Sequence, residues 1–261
     1  MRNTNIGYDA FRIICPAQEL TIRQSQLVAL QKQADQSPGK LPPQLDLATG
    51  FDKLGTAFAA QGDSVNALKN FDNELNACRQ SAQRDPAIAD CLRRVAQSIG
   101  QIGDTQLSQA VGFDQAHNAT QSTQLANSAI ASDQKSLAIW QQLLHFAPDD
   151  VGTQHSVALA FDRAGVALFW IGRKPEGLDA IRSAVKLLEN IIDAHHGTQA
   201  INVDLLWCLY NLSQRSDNST EAKDSLRKSL AIATELDRAH QGPDQIAGVV
   251  TFLQGELAKL H

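Results

Sequence analysis

Two stretches of this sequence repeat one another 110 positions apart. Phe51 to Leu68 reads FDKLGTAFAAQGDSVNAL, and Phe161 to Leu178 reads FDRAGVALFWIGRKPEGL. Each opens Phe-Asp-basic-x-Gly, carries a second glycine seven residues on, at Gly62 and Gly172, and a leucine six further, at Leu68 and Leu178. A unit this short cannot bury its own apolar face, so a chain that repeats it must stack the copies into one continuous core. The echo is therefore periodic architecture rather than two copies of a catalytic motif.

The segments between these copies read as helices. Leu20, Leu27, Val28 and Leu30 sit among Gln, Lys and Arg, and the pattern stops at Ser37-Pro38-Gly39. Leu47, Phe51, Leu54 and Phe58 have helical spacing up to the Gly62-Asp63-Ser64 break, where Asp63 or Ser64 is placed to cap the next helix. That helix runs through Leu68, Phe71 and Leu75 and is expected to end at Arg84-Asp85-Pro86. The next is expected over Ala87 to Ile102, stopping at Gly103-Asp104 before a Gln/Ser/Ala/Asn-rich stretch from Thr105 to Ser132. Further helical patterns end at Ala147-Pro148-Asp149, at Gly172 and near Gly197. Two more follow, and a final amphipathic one starts at Pro243. No strand alternation is present. The fold class read from these patterns is all-α, a row of stacked antiparallel helix pairs.

Phe51-x-x-Leu54-Gly55-x-x-Phe58, followed by Ala67-x-x-x-Phe71, resembles a tetratricopeptide repeat, whose pattern is W-x₂-L-G-x₂-Y…A-x₃-F…P. Phe51 and Phe58 stand where that family has aromatics, Gly55 and Ala67 where it has small residues. The second copy keeps Phe161, Gly165, Gly172 and Gly177, with Leu168 and Ile181 for the other bulky positions; a weaker one keeps Leu206, Leu209, Ala222 and Leu226. The usual period is about 34 residues. Here Gly177 to Ala222 spans 45 and Ala129 to Gly177 spans 48, so the helices are longer. Such long variants resemble repeats that bacteria attach to kinases, cyclases and ATPases, and the resemblance implies a right-handed α-solenoid of stacked antiparallel helix pairs. Residues 1–261 divide as one repeat domain: an N-terminal half-repeat at 17–37, repeats at about 44–86, 87–148, 149–198 and 199–241, and a C-terminal helix at 243–261. The second repeat carries an insertion near 105–121, read as an elongated helix pair or surface loop, or as an arm toward a ligand or second subunit.

The net charge of −5, with no Lys/Arg-rich run, argues against nucleic acid as a partner. No apolar run reaches the length of a membrane span, and the N-terminus lacks the apolar core of a secretory signal, so a cytoplasmic location is the default. The abrupt start is what a segment of a longer polypeptide would show. Cys15, Cys78, Cys91 and Cys208 are scattered without a C-x-x-C pair and form neither a disulfide framework nor a zinc site. They are expected as small buried thiols. Cys78 and Cys91 are nearly symmetric about Arg84-Asp85-Pro86, so a hairpin would set them across from one another, though a cytosolic redox state opposes a bridge. There is no phosphate loop and no H-E-x-x-H. His195-His196 next to Gly197 suit a helix C-terminus, and Gly62-Asp63 and Gly103-Asp104 are turn-and-cap residues. No catalytic residue, metal site or cofactor is expected, and the chain is not expected to be an enzyme.

The resemblance implies a concave groove lined by the first helix of each pair, with lining positions set relative to the small residue at the crossing. They are Asp52 and Thr56, with Ala59 and Ala60, beside Gly55; Asp162, Phe169 and Trp170, with Val166, beside Gly165; and Trp207, Asn211 and Arg215, with Gln214, beside Tyr210. In the irregular repeat they are Arg94 and Gln97, with Gln101. Aromatics and arginine are the commonest interface anchors. Asp52-Thr56 and Asp162-Val166 lack the basic pattern of a peptide carboxylate clamp, so an extended or basic ligand is expected. The implied function is a non-catalytic scaffold that binds a protein or peptide in this groove. The alternative is a regulatory or self-assembly module of a larger signalling enzyme, pairing through its terminal helices.

Overall fold

The computed structural model describes residues 16–37, 40–80, 86–195, 197–239 and 246–259. Among them the backbone forms ten α-helices and no strand. The chain is an all-α solenoid of antiparallel helix pairs. Its residues group into two compact units, 1–98 and 99–261, whose border falls inside one helix.

The first unit holds α1 (Pro16–Asp35), α2 (Leu41–Ala60), α3 (Ser64–Gln80) and the start of α4 (Pro86–Gln115). α2 begins three residues earlier than the spacing predicts, because Pro42 and Pro43 fall in its first turn, where the missing N–H costs nothing. Its turn into α3 is made by Gly62 at φ +77°, a left-handed conformation that suits glycine. Asp63 Oδ1 then accepts the Asn66 backbone N–H at 3.0 Å and caps α3. Leu47, Ala48, Leu54, Ala67, Phe71 and Leu75 form the core. Gly55 is what lets α2 approach: a Cβ there would lie 2.7 Å from the Phe71 ring. α3 ends at Gln80, and Pro86 opens α4 rather than closing α3. The Arg84-Asp85 part of the expected turn lies outside the described residues, as do Pro38-Gly39, His196 and Pro243.

The second unit continues α4 and adds α5 (Ala119–Phe146), α6 (Val151–Trp170), α7 (Lys174–His195), α8 (Gln199–Arg215), α9 (Ser219–Arg238) and α10 (Ile246–Ala258). The expected stop at Gly103-Asp104 is not one: α4 runs through it. A Cβ on Gly103 would lie 2.6 Å from Asp133 Oδ1, so this glycine is a close crossing with α5. The Gln/Ser/Asn-rich insertion is accordingly helix, the far ends of α4 and α5 joined by a turn at 116–118 and capped by Asn118, whose side chain accepts from Gln121. Small and polar residues of the wider Thr105–Ser132 stretch pack inward: Ala126 and Ala129 are buried, and Ser132 donates to Gln106 Oε1 at 2.9 Å. Arg163 of α6 reaches between Asp104 and Asp133, 3.7 and 3.5 Å away. Burial pushes the Asp133 carboxyl up to about 7 against the pull of Arg163.

At the α6–α7 crossing a Cβ on Gly165 would sit 2.8 Å from the Gly177 carbonyl oxygen, and one on Gly177 2.7 Å from that of Gly165, so the two backbones touch. Ile181, Leu188, Ile191, Leu205 and Leu209 fill the core beside them. Leu206, Leu226, Leu236 and Leu253 form the next core, where α10 covers α8 and α9. Polar contacts between like helices keep constant offsets. On α6 and α8, His155 meets Asp204 and Asn211 meets Asp162, each pair 49 residues apart. On α7 and α9, Arg182 meets Glu221 and Lys228 meets Glu189, each pair 39 apart.

One cysteine expectation is corrected. Cys78 of α3 and Cys91 of α4 are joined by a disulfide, with Cα atoms 6.1 Å apart. The hairpin symmetry prevails over the compartment argument that favoured free thiols. Cys208 remains a buried free thiol.

Candidate interaction site

The residues expected to line a groove fall into both units, and each group stands by itself. In residues 1–98, Thr56 and Gln97 are exposed, while Asp52 and Arg94 belong to a half-buried charge cluster with Glu74. Arg94 Nη2 lies 3.4 Å from Glu74 Oε1, and the Glu74 side chain is fully buried. Burial, and then the neighbouring Asp52 charge, push the Glu74 carboxyl up to about 8, with Arg94 pulling the other way. Asp52 is also raised by burial, with Arg94 again the main opposing charge. Glu74 was not among the residues expected from the sequence. One turn beyond Asn70 and surrounded by Asn and Asp, it reads as a solvated helix position.

In residues 99–261, four of the expected residues meet on α6 and α8. Asn211 Nδ2 donates to Asp162 Oδ2 at 2.9 Å, and Arg215 Nη1 donates to Asn211 Oδ1 at 3.0 Å and to its backbone oxygen at 3.2 Å. The Arg215 guanidinium lies 5.8 Å from the centre of the Phe169 ring, and Lys174 Nζ lies 5.3 Å from it. Two cations therefore lie within cation–π range of one ring. The other Asp162 oxygen is buried and unpartnered. Burial drives this carboxyl up to about 6, while the Asn211 hydrogen bond and the Arg215 charge hold it down. The Cys208 thiol beside it is pushed up, first by its own burial and then by the charge of Asp162.

Trp170 and Trp207 lie to either side of this strip, each 39% exposed. Trp170 Nε1 donates to Ser122 Oγ at 3.3 Å. It lines a cleft of about 310 Å³ with Phe169, Ser122, Thr123 and Asp114. The inserted ends of α4 and α5 thus border the aromatic pair of α6. Trp207 packs edge-on to Tyr210 at 5.9 Å, and Tyr210 to Phe252 of α10 at 5.5 Å, so an aromatic row runs from α8 to the terminal helix. Lys174 and Phe252 are additions that repeat spacing does not point to, while Tyr210 stands at the crossing position from which the α8 residues were counted. Lys174 comes from the first turn of a second helix, and Phe252 from a helix with no counterpart in the repeat pattern.

No family model matches this chain, and no curated protein matches it. Among solved structures it is similar to BtubC (BKLC) from P. vanneervenii, at 12% identity and a TM-score of 0.49, over 94% of this chain and 87% of that one. It is also similar to a double mutant of MamA from RS-1, at 16% identity and a TM-score of 0.40, over 85% and 93%. A de novo designed helical repeat protein, DHR64, aligns at 11% identity and a TM-score of 0.27, over 94% and 95%. No described helix is long and apolar enough to cross a membrane. The helical-repeat architecture rests on the helix pairing and crossings above.

Proposed function

We propose that the chain is a non-catalytic protein-interaction scaffold and that the α6–α8 face binds an extended segment of a partner protein. The observation that carries this reading is the strip Asp162–Asn211–Arg215, which leads onto Phe169 between two cations, with exposed Trp207 on the same helix as Asn211. Amide and guanidinium groups held in place by one another suit the hydrogen bonding of an extended backbone, and flanking aromatics supply anchors. Asp162 is turned inward to Asn211, so it is not a free acceptor for a basic ligand. Arg215 and Lys174 instead favour an acidic residue beside an apolar one.

The test is selection from a displayed random-peptide library on the whole chain, with affinities of the winners measured by fluorescence anisotropy. Enriched peptides should pair Asp or Glu with a large apolar residue. Phe169→Ala and Arg215→Ala should each weaken them by roughly tenfold or more. Winners that bind both variants as tightly as the parent would sink the assignment of this face.

A self-association reading draws support from a different place. Phe252 of α10 is 43% exposed, and Ile22 and Val28 of α1 are 48% and 72% exposed. Sedimentation across a hundredfold range of concentration separates it from the first: a constant monomer mass removes it.

A further inference from the structure

The α3–α4 hairpin brings three side chains with metal-ligating atoms into one buried place. Glu74 and Cys78 are four residues apart on α3, hence on one face of that helix. Cys91 meets them from the first turns of α4. A carboxylate oxygen and the two sulfurs lie within 4.8 Å of one another, and all three residues are buried. Arg94 reaches Glu74 Oε1, but Oε2 is buried with no hydrogen-bond partner. An unpartnered buried carboxylate oxygen is costly and rare in a folded protein. Here the same carboxylate has an oxygen within 4.8 Å of two sulfur atoms.

We propose that Glu74, Cys78 and Cys91, once the cysteine pair is reduced, form a zinc site. The sequence alone argues against metal, because Cys78 and Cys91 are far from C-x-x-C spacing. The hairpin supplies the proximity that spacing does not. Zinc takes thiolate, imidazole and carboxylate ligands in tetrahedral geometry. With zinc–sulfur bonds of about 2.3 Å, the edges of such a tetrahedron are about 3.8 Å, so the two sulfurs, bonded to each other when oxidised, need only move apart on reduction to take two of its corners. Two thiolates select zinc over calcium or magnesium, and three protein ligands leave the fourth position to water. Two thiolates, one carboxylate and a dication sum to minus one. Arg94, with Nη2 3.4 Å from Glu74 Oε1 and 3.8 Å from Cys91 Sγ, is the cation placed to offset that charge, and Asp52 is the remaining acid of the cluster.

Loading begins from the disulfide. A dithiol reductant attacks one sulfur as thiolate, a mixed disulfide forms, and its second thiol displaces the cysteine. The reductant leaves as a disulfide, and Cys78 and Cys91 each gain one electron and one proton. Zinc binding then releases both thiol protons, and the proton held on the buried Glu74 carboxyl, to buffer, and Glu74 binds as carboxylate. The hairpin thus has two mutually exclusive cross-links, a covalent one when oxidised and a metal one when reduced. Nothing in this site depends on the α6–α8 face.

The whole chain, reduced with a phosphine and freed of excess reductant without air, is titrated with cobalt(II). Thiolate-to-cobalt charge-transfer absorption should saturate at one ion per chain and vanish on addition of zinc. Cys78→Ser and Cys91→Ser should each abolish it. Glu74→Gln should keep the absorption and weaken the affinity roughly tenfold or more. Absence of the band, its survival in both serine variants, or an unchanged affinity in Glu74→Gln would each overturn the site. If the reduced chain loses helicity, the same titration is followed by circular dichroism. Zinc should then restore the helical signal of the parent and not of Cys78→Ser, and failure to restore it overturns the proposal equally.

Discussion

The hairpins α2–α3 and α6–α7 come from the two echoing stretches, and they solve the same crossing differently. Both turn on a glycine in left-handed conformation, Gly62 and Gly172. In the first, Gly55 makes room for one aromatic ring, that of Phe71. In the second, Gly165 and Gly177 face each other's carbonyl oxygens, and the backbones themselves touch. The shared letters specify a turn and a close approach. Phe71 and Ile181 take matching places against the two glycines, and the second copy adds the Gly177 backbone where the first has Ala67. The ring can yield by shifting and the backbone cannot.

The largest expected effect follows from that contrast. Gly165→Ala should lower stability by about 3 kcal/mol, since its methyl meets main chain, while Gly55→Ala should cost about 1–2 kcal/mol. Urea unfolding of both variants measures it, and equal losses would mean that the two crossings are equivalent.

A second contrast lies between Asp52 and Asp162, which occupy matching places in the copies. Both carboxyls are raised by burial, Asp162 to about 6. A raised folded value means that the native state keeps a proton the unfolded chain gives up near pH 4. Stability from this group is therefore full at low pH and is lost as pH rises through about 6, with a slope of up to about 1.4 kcal/mol per pH unit. Denaturation midpoints measured from pH 4 to 7 should fall less in Asp162→Asn than in the parent. Asp52→Asn should change the slope less. The reverse order would break the correspondence.

The smallest effect concerns the turns. Asp63 caps α3, whereas the matching Arg173 pairs with Glu176 at 2.8 Å on the surface. Asp63→Ala should lower the thermal midpoint slightly and Arg173→Ala by less still, because the first removes a helix cap and the second only a surface pair.

These comparisons also mark how far sequence reasoning reaches. The turns at Gly62 and Gly172 and the Gly55–Phe71 crossing are legible because each depends on residues one hairpin apart. The continuation of α4 through Gly103 is not, because a glycine that ends a helix and one that admits a neighbour look alike until Asp133 is known to stand opposite. The same holds for the site. Asp162, Asn211, Arg215 and Phe169 were reachable by counting from the crossing. Lys174 enters from another helix, and Phe252 from one outside the repeat. Glu74 hides in a polar stretch whose inward side shows only once α4 lies against it. The Cys78–Cys91 pair is legible as hairpin symmetry, and what opposes it is the redox state of a compartment, which is not a property of the chain.

The constant offsets between like helices carry one more consequence. Helices α6 and α8 engage at 49 residues and α7 and α9 at 39, although the repeat itself advances by 45 from Gly177 to Ala222. Apolar faces tolerate sliding by a turn, since one leucine replaces another. A slip of that kind would separate His155 from Asp204 and Arg182 from Glu221 at once. The polar pairs thus work as an index that locks each hairpin to its neighbour, and a hairpin grafted from elsewhere would need both marks to seat in step.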